Sequence, residues 1–413
     1  MKHKLRKLMT PFESFLTWEA GSGVILLASA IVALVLANSP LGASYDHLLH
    51  TPLGIGTGDF RLEMSLAHWV NDGLMTVFFF VIGLEIKREF LYGELRTKSA
   101  MLLPVCAALG GMIMPALLYS LMNLGAPTAG GWGIPMATDI AFALGIMTLA
   151  AGHAPVGLVV FLTALAIVDD LGAIVVIALF YSSDVSLVAL GAGLACIAGA
   201  FVLNKFRVQF LPAYLACGLG AWLAFLASGI HPTIAGVLLG TAIPATAALD
   251  DDVLHDAAHP MHGHHGSLLH KLETALEPWS AYVIMPIFAL ANAGVNVAGA
   301  NLDVSSPLFL GIAAGLIVGK PLGIYGSVRL LTKFTGAPLP GNAKPMEALS
   351  AGALGGIGFT MSIFIATLAF PDEATLAAAK LSILISSVLA GVLGAVMFQL
   401  TKKGAPHEDY STV

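Results

Sequence analysis

An all-α integral membrane protein of about twelve transmembrane helices follows from three features of this sequence. Hydrophobic residues make up 57% of the 413-residue chain and charged residues 11%, against roughly 25% charged in ordinary soluble domains. Apolar stretches near the 20 residues that a spanning helix needs recur along the whole length. They do not alternate apolar with polar positions, as the strands of a membrane barrel must.

The stretches run near 14–37, 66–86, 99–124, 130–150, 156–180, 186–203, 211–226, 230–245, 273–298, 306–331, 347–370 and 375–400, the seventh and eighth being short for a span. An even number puts both termini on one side. The basic start, Met1 to Lys7, is expected to be cytoplasmic under the positive-inside rule. Lys87, Arg88, Arg96, Lys98, Lys205, Arg207, Lys333, Lys344, Lys402 and Lys403 fall on that same side, and only Arg61 and Lys380 fall opposite. The first run, from about Phe15, is span-length and lacks a cleavage site, so no cleavable signal is expected. Cys106, Cys196 and Cys217 lie within apolar spans and read as small buried hydrophobes. The net charge of −6 includes no basic block, so the bilayer and not nucleic acid is the expected surrounding.

Four segments interrupt the single membrane domain, 1–413. Residues 41–65 carry the turn residues Pro52 to Gly58 and are expected to form an external hairpin. Lys87–Lys98 is a charged loop, and Thr335–Pro345 is rich in Pro and Gly. Residues 247–271 hold His255, His259, His262, His264, His265 and His270 beside Asp250, Asp251, Asp252 and Asp256. Such a cytoplasmic stretch titrates near neutral pH. It reads as a pH-sensing loop, as a solvated loop or as an adventitious metal binder, although no Cys or framework supports a zinc site.

The chemistry rests on the ionisable groups inside apolar runs. Between Lys98 and Lys205 the only Asp, Glu, Lys or Arg residues are Asp139, Asp169, Asp170 and Asp184. A carboxylate at the centre of a membrane helix costs about 2.5–3.5 kcal/mol on insertion scales, which marks it as functional by default. Asp169 and Asp170 diverge by about 100° on a helix, which invites different roles. Lys320 lies deep in the tenth span and needs an acidic partner to stay charged, and one of the two aspartates is the natural one. The other is then free to exchange a cation for a proton.

Two spans look broken. Gly131-Trp-Gly-Ile-Pro135 precedes Thr138-Asp139 in the fourth, where Pro135 removes a backbone donor. Gly352, Gly355, Gly356 and Gly358 lead into Phe359-Thr-Met-Ser362 in the eleventh. Discontinuous helices at matching positions in two halves point to a transporter site at the midplane, while close helix packing is the plain alternative. Asp139 suits the positive N-termini of such breaks and Lys320 the negative C-termini.

Five segments then carry a resemblance. Trp69-Val-Asn-Asp72 through Gly83-Leu-Glu85-Ile-Lys-Arg88-Glu89, Ala137-Thr138-Asp139-Ile-Ala-Phe142, Leu165-Ala-Ile-Val-Asp169-Asp170, Gly319-Lys320-Pro321 and Gly356 to Ile365 resemble, in order, the signature segments of NhaA-type sodium/proton antiporters. The resemblance implies twelve helices in inverted-topology repeats, spans 4 and 11 discontinuous and crossing, and a homodimer joined partly by the 41–65 hairpin. It implies a bacterial inner-membrane antiporter, not an enzyme, that moves Na+ or Li+ outward against H+ without a cofactor. Asp170 would be the main cation and proton carrier and Asp169 the acid paired with Lys320. Thr138 and Asp139 would support the site. Asp72, Glu85, Arg88, Glu273 and His231 would belong to the entrance and the pH response. Where well-known members have histidines shortly after the glutamate, this chain has Thr274 and Glu277, and the His-rich loop lies just upstream.

The expected mechanism is competition for carboxylates: protons or one desolvated cation occupy Asp170 with help from Asp169, and the site is exposed to each side in turn. Two protons per cation would make exchange electrogenic. No Gly-x-x-x-x-Gly-Lys-Ser/Thr loop is present, so the proton gradient is the expected energy source. An intramembrane aspartyl protease would share a proton between acids but has no use for Lys320. A cation channel would favour rings of acids over one asymmetric constellation.

Overall fold

The computed structural model describes residues 11–57, 60–93, 95–150, 155–182, 185–246, 266–297, 302–336 and 338–403. Residues 247–265 of the expected His-rich loop, and with them five of its six histidines, lie outside the described residues. Among the described residues eight helices are long and apolar enough to cross a membrane, or up to eleven spans if each of three bent helix pairs counts as one.

Helix α1 (Pro11–Ala37) is followed by α2 (Gly42–His50) at a bend of 111°. The bend falls at Asn38-Ser-Pro40, where the Asn38 and Ser39 side chains donate to the carbonyls of Leu34 and Leu36, both at 2.8 Å. These bonds satisfy acceptors that a helix end leaves open. Strands β1 (Pro52–Thr57) and β2 (Phe60–Ser65) pair antiparallel, with Pro52 opposite Ser65. The segment 41–65 is therefore a short helix followed by a hairpin, narrower than the hairpin expected from its turn residues.

Helix α3 (Leu66–Leu91) contains a π-helical turn at Trp69–Leu74. Helix α4 (Lys98–Met122) leads to a 3-10 segment, Pro127–Met136, and then α5 (Ile140–Ala150), the two meeting at 49°. Helices α6 (Val156–Phe180), α7 (Leu187–Lys205) and α8 (Leu211–Ser228) follow. Helix α9 (Thr233–Ala242) has ten residues, about 15 Å, half the thickness of a bilayer core. Pro232 and Pro244 bracket it, which shortens the span expected over 230–245.

Helix α10 (Leu268–Asn292) has a π turn at Ser280–Ile284, and α11 (Pro307–Thr335) has one at Ala314–Gly319. Helices α12 (Pro345–Leu354) and α13 (Phe359–Ala369) meet at 45°, and α14 (Glu373–Lys403) closes the order. Serine hydroxyls open α7, α10 and α11, where Ser186, Ser267 and Ser306 accept from the amides of Ala189, His270 and Phe309. Such N-caps are each worth about 1 kcal/mol. Exposed Asp372 does the same for α14 through Thr375, whose amide and hydroxyl hold its carboxylate below the usual range.

The chain forms two compact units. Unit 1 comprises Met1–Val24, Leu102–Asp169 and Ala300–Val413, and unit 2 comprises Ile25–Met101 and Asp170–Gly299. Within unit 1, α14 runs along α11, α12 and α13, and the 3-10 segment lies on α13. Within unit 2, α3 packs along α9 and α7 along α8. Many large apolar side chains stay exposed on these helices, among them Val188, Leu219, Leu330 and Val388, as suits a hydrocarbon surrounding.

Candidate functional site

In unit 1 the two helix breaks are tied to each other. Residues Ala137–Asp139 leave the helical conformation after Pro135 and lie against Gly355–Phe359. The Asp139 amide donates to the Ile357 carbonyl at 2.6 Å, and the Thr138 hydroxyl donates to the Gly355 carbonyl at 2.8 Å. The Asp139 carboxylate accepts from the Phe142 amide at 3.2 Å, from the Thr360 amide at 3.2 Å and from the Thr360 hydroxyl. One buried acid thus caps the starts of both α5 and α13, where partial positive charges of the freed amides collect.

Lys320 follows the π turn of α11 and is fully enclosed, at 0% exposure. Its ammonium donates to the Thr138 hydroxyl at 2.9 Å and forms an ion pair with Asp169 Oδ2. Asp169 is 1% exposed. An ammonium and a carboxylate taken out of water together hold each other charged, and removing either strands the other. Asp170 is the next residue of α6 and is buried, turned about 100° from Asp169. Thr138, Asp139, Asp169 and Lys320 are therefore brought together in unit 1 as their residue types suggested. Thr360 joins them unforeseen; its hydroxyl directly after the Gly358-Phe359 break was the available signal.

Unit 2 holds a second charged group. Glu85, Arg88 and Glu89 share the last turns of α3, and Glu273 reaches them from α10. Arg88 Nε lies 2.6 Å from Glu273 Oε1, and Nη2 lies 3.0 Å from Glu89 Oε1 and 3.9 Å from Glu85 Oε1. The Arg88 side chain is 41% exposed, that of Glu273 9%. Glu89, one helical turn from Glu85, was not singled out beforehand, although it belongs to the same signature segment.

Asp72 and His231 join neither group. Asp72 lies in the π turn of α3, 13 residues and so about 20 Å along the helix from Glu85. Its carbonyl accepts from the Thr76 hydroxyl and from Trp222 Nε1 at 3.1 Å, while Trp69 stacks on Trp222 with ring centroids 6.1 Å apart. Neighbouring Asn71 accepts from Asn292 at 2.7 Å. His231 is half-buried in the turn between α8 and α9. Among the described residues no group of three or more His, Cys, Asp or Glu can hold a metal ion.

Unit 1 thus holds an enclosed acid–lysine pair and, next in the chain to the threonine on that lysine, an acid that caps two helix breaks. The family model described as Na+/H+ antiporter 1 matches residues 13–398. The chain belongs to the Na+/H+ antiporter family. It is 49% identical over 402 residues to the Na(+)/H(+) antiporter NhaA 2 of Clostridium beijerinckii, covering 97% of this chain and 96% of that one. It is 46% identical to the NhaA antiporter of Oleidesulfovibrio alaskensis, covering 97% and 96%, and 46% identical to that of Bordetella parapertussis, covering 94% and 96%. This antiporter is a multi-pass membrane protein of a transporter family.

Proposed function

We propose that this antiporter exports Na+ and Li+ from the cytoplasm in exchange for protons, with Asp170 as the carrier carboxylate and Asp169 beside it. The observation that carries this reading is the enclosed Lys320–Asp169 pair with Thr138 on the lysine, one residue from Asp170. A free Asp titrates near 3.9, so exchange near neutral pH requires burial to favour its protonated form. When a desolvated Na+ or Li+ arrives, Asp170 gives up its proton and takes the cation; when a proton returns, the cation leaves. Lys320 keeps Asp169 ionised during one part of the cycle, and a proton exchanged at that pair would make the count two per cation and the exchange electrogenic. Asp139 keeps the two breaks capped throughout.

The Arg88 cluster with Glu85 and Glu273 is the cytoplasmic entrance and sets the pH response, with Asp72 and His231 acting from elsewhere in unit 2. The Lys and Arg distribution and the bacterial relatives support a bacterial inner-membrane protein with both termini cytoplasmic. The open edges of the β1–β2 hairpin suit a homodimer.

Everted membrane vesicles with a pH-sensitive dye test the proposal. Adding NaCl or LiCl between pH 6.5 and 8.5 is expected to release protons from the lumen, and Asp170→Asn is expected to abolish the response. A response that survives in Asp170→Asn would move the carrier role to another acid.

A further inference from the structure

The C-terminal end of α9 is held by a cation that the exchange chemistry does not use. Helix α9 lies on α3 with backbone against backbone: a Cβ on Gly236 would fall 2.2 Å from the Thr76 carbonyl, and one on Gly240 2.5 Å from the Phe80 carbonyl. Only glycine permits that approach. At Ala242 the helix stops before Pro244, and the last carbonyls of a helix have no intrahelical donors.

Lys87 reaches across from α3 to supply them. Its Nζ donates to the Thr241 carbonyl at 2.8 Å and to the Ile243 carbonyl at 2.5 Å. The Tyr92 hydroxyl donates to the Ala245 carbonyl at 3.2 Å, and Gln209 Nε2 to the Thr246 carbonyl at 3.1 Å. An ammonium at a helix C-terminus gains from both the hydrogen bonds and the helix dipole. Next to Lys87 in sequence, Arg88 pairs with Glu85, Glu89 and Glu273. Helix α9 brings no charged residue to this contact, and α10, which also carries His270 and Lys271, brings Glu273 and Glu277 within electrostatic reach of Arg88.

We propose that Lys87 is a positioning residue for the Arg88 cluster: by clamping the end of α9 to α3, it fixes the face that Glu85, Arg88 and Glu89 turn toward α10 and limits water there. This inference rests on the reading of the cluster as the source of the pH response.

Vesicle antiport is measured against pH at saturating Na+ for wild type, Lys87→Met, Lys87→Arg and Arg88→Gln. Lys87→Met is expected to keep the maximal rate within about twofold and to move the half-activation point to lower pH by about half a unit, because water admitted beside carboxylates favours their ionised form. Lys87→Arg, which keeps charge and donors, is expected to restore the wild-type profile. A shift to higher pH in Lys87→Met would mean action by charge alone and would overturn the clamp, as would a profile that Lys87→Arg fails to restore. Should Lys87→Met fail to insert, Tyr92→Phe decides: a smaller shift in the same direction supports the clamp and an unmoved profile overturns it. If Arg88→Gln leaves the profile in place, the cluster reading falls and the Lys87 role with it; if Arg88→Gln moves it and Lys87→Met does not, the Lys87 role alone falls.

Discussion

The Lys320–Asp169 pair of unit 1 and the Arg88 cluster of unit 2 use the same chemistry in opposite surroundings. Lys320 is 0% exposed and meets one carboxylate; Arg88 is 41% exposed and meets three. An enclosed charge cannot be left alone without a large cost, whereas a half-exposed one is relieved by water and screened by salt. The first pair is thus bound into the stability of its unit. The second is reached by water through Arg88, although Glu89 and Glu273 are themselves buried.

The largest expected effect breaks the enclosed pair. Lys320→Ala should lower stability by about 3–5 kcal/mol because Asp169 is left buried and charged, seen as a lower melting temperature of the purified protein. Joint Lys320→Met and Asp169→Leu substitution should recover much of that stability while antiport stays lost. A Lys320→Ala protein that melts like wild type would erase the contrast between the two regions. Next, Asp139→Ala leaves the Thr360 hydroxyl and the Phe142 and Thr360 amides without their acceptor; at about 1–3 kcal/mol for a stranded group, its melting temperature should fall by less than in Lys320→Ala.

Arg88→Gln takes the cation from the buried carboxylates of Glu89 and Glu273, but Arg88 itself is 41% exposed, so the melting temperature should fall by less than in Lys320→Ala. Removing the cation favours protonated carboxylates, so if activity follows loss of the cluster's protons, the half-activation pH should rise in the dye assay. The smallest effect is that of salt. Raising KCl from about 0.01 to 0.15 M shortens the screening length from about 30 to 8 Å and should move the wild-type profile by roughly a few tenths of a pH unit, with Arg88→Gln moving less.

Much of the unit 1 site was legible because charge is so rare there. Asp139, Asp169 and Lys320 stand out against long apolar runs, and the glycines before Phe359 announce a break. Thr360 was not foreseen, since a threonine in a membrane helix usually bonds its own backbone and only the fold shows that this one reaches Asp139. The three π turns left no trace either: one extra residue in a turn does not disturb a run that is apolar on all faces. Helix α9 was read as a span from apolarity alone, although Pro232 and Pro244 bounded it. Glu85, Arg88 and Glu273 entered only by resemblance, because nothing local says which loop-distant acid meets a given arginine.

The capping of two breaks by one acid also sets a schedule for biogenesis. Asp139 and Thr360 are 221 residues apart in sequence, which at about 5–20 residues per second of synthesis separates their emergence from the ribosome by roughly ten to forty seconds. Throughout that interval Asp139 has only the near half of its task, the start of α5 through the Phe142 amide, and the second break can be closed only after α13 has been made.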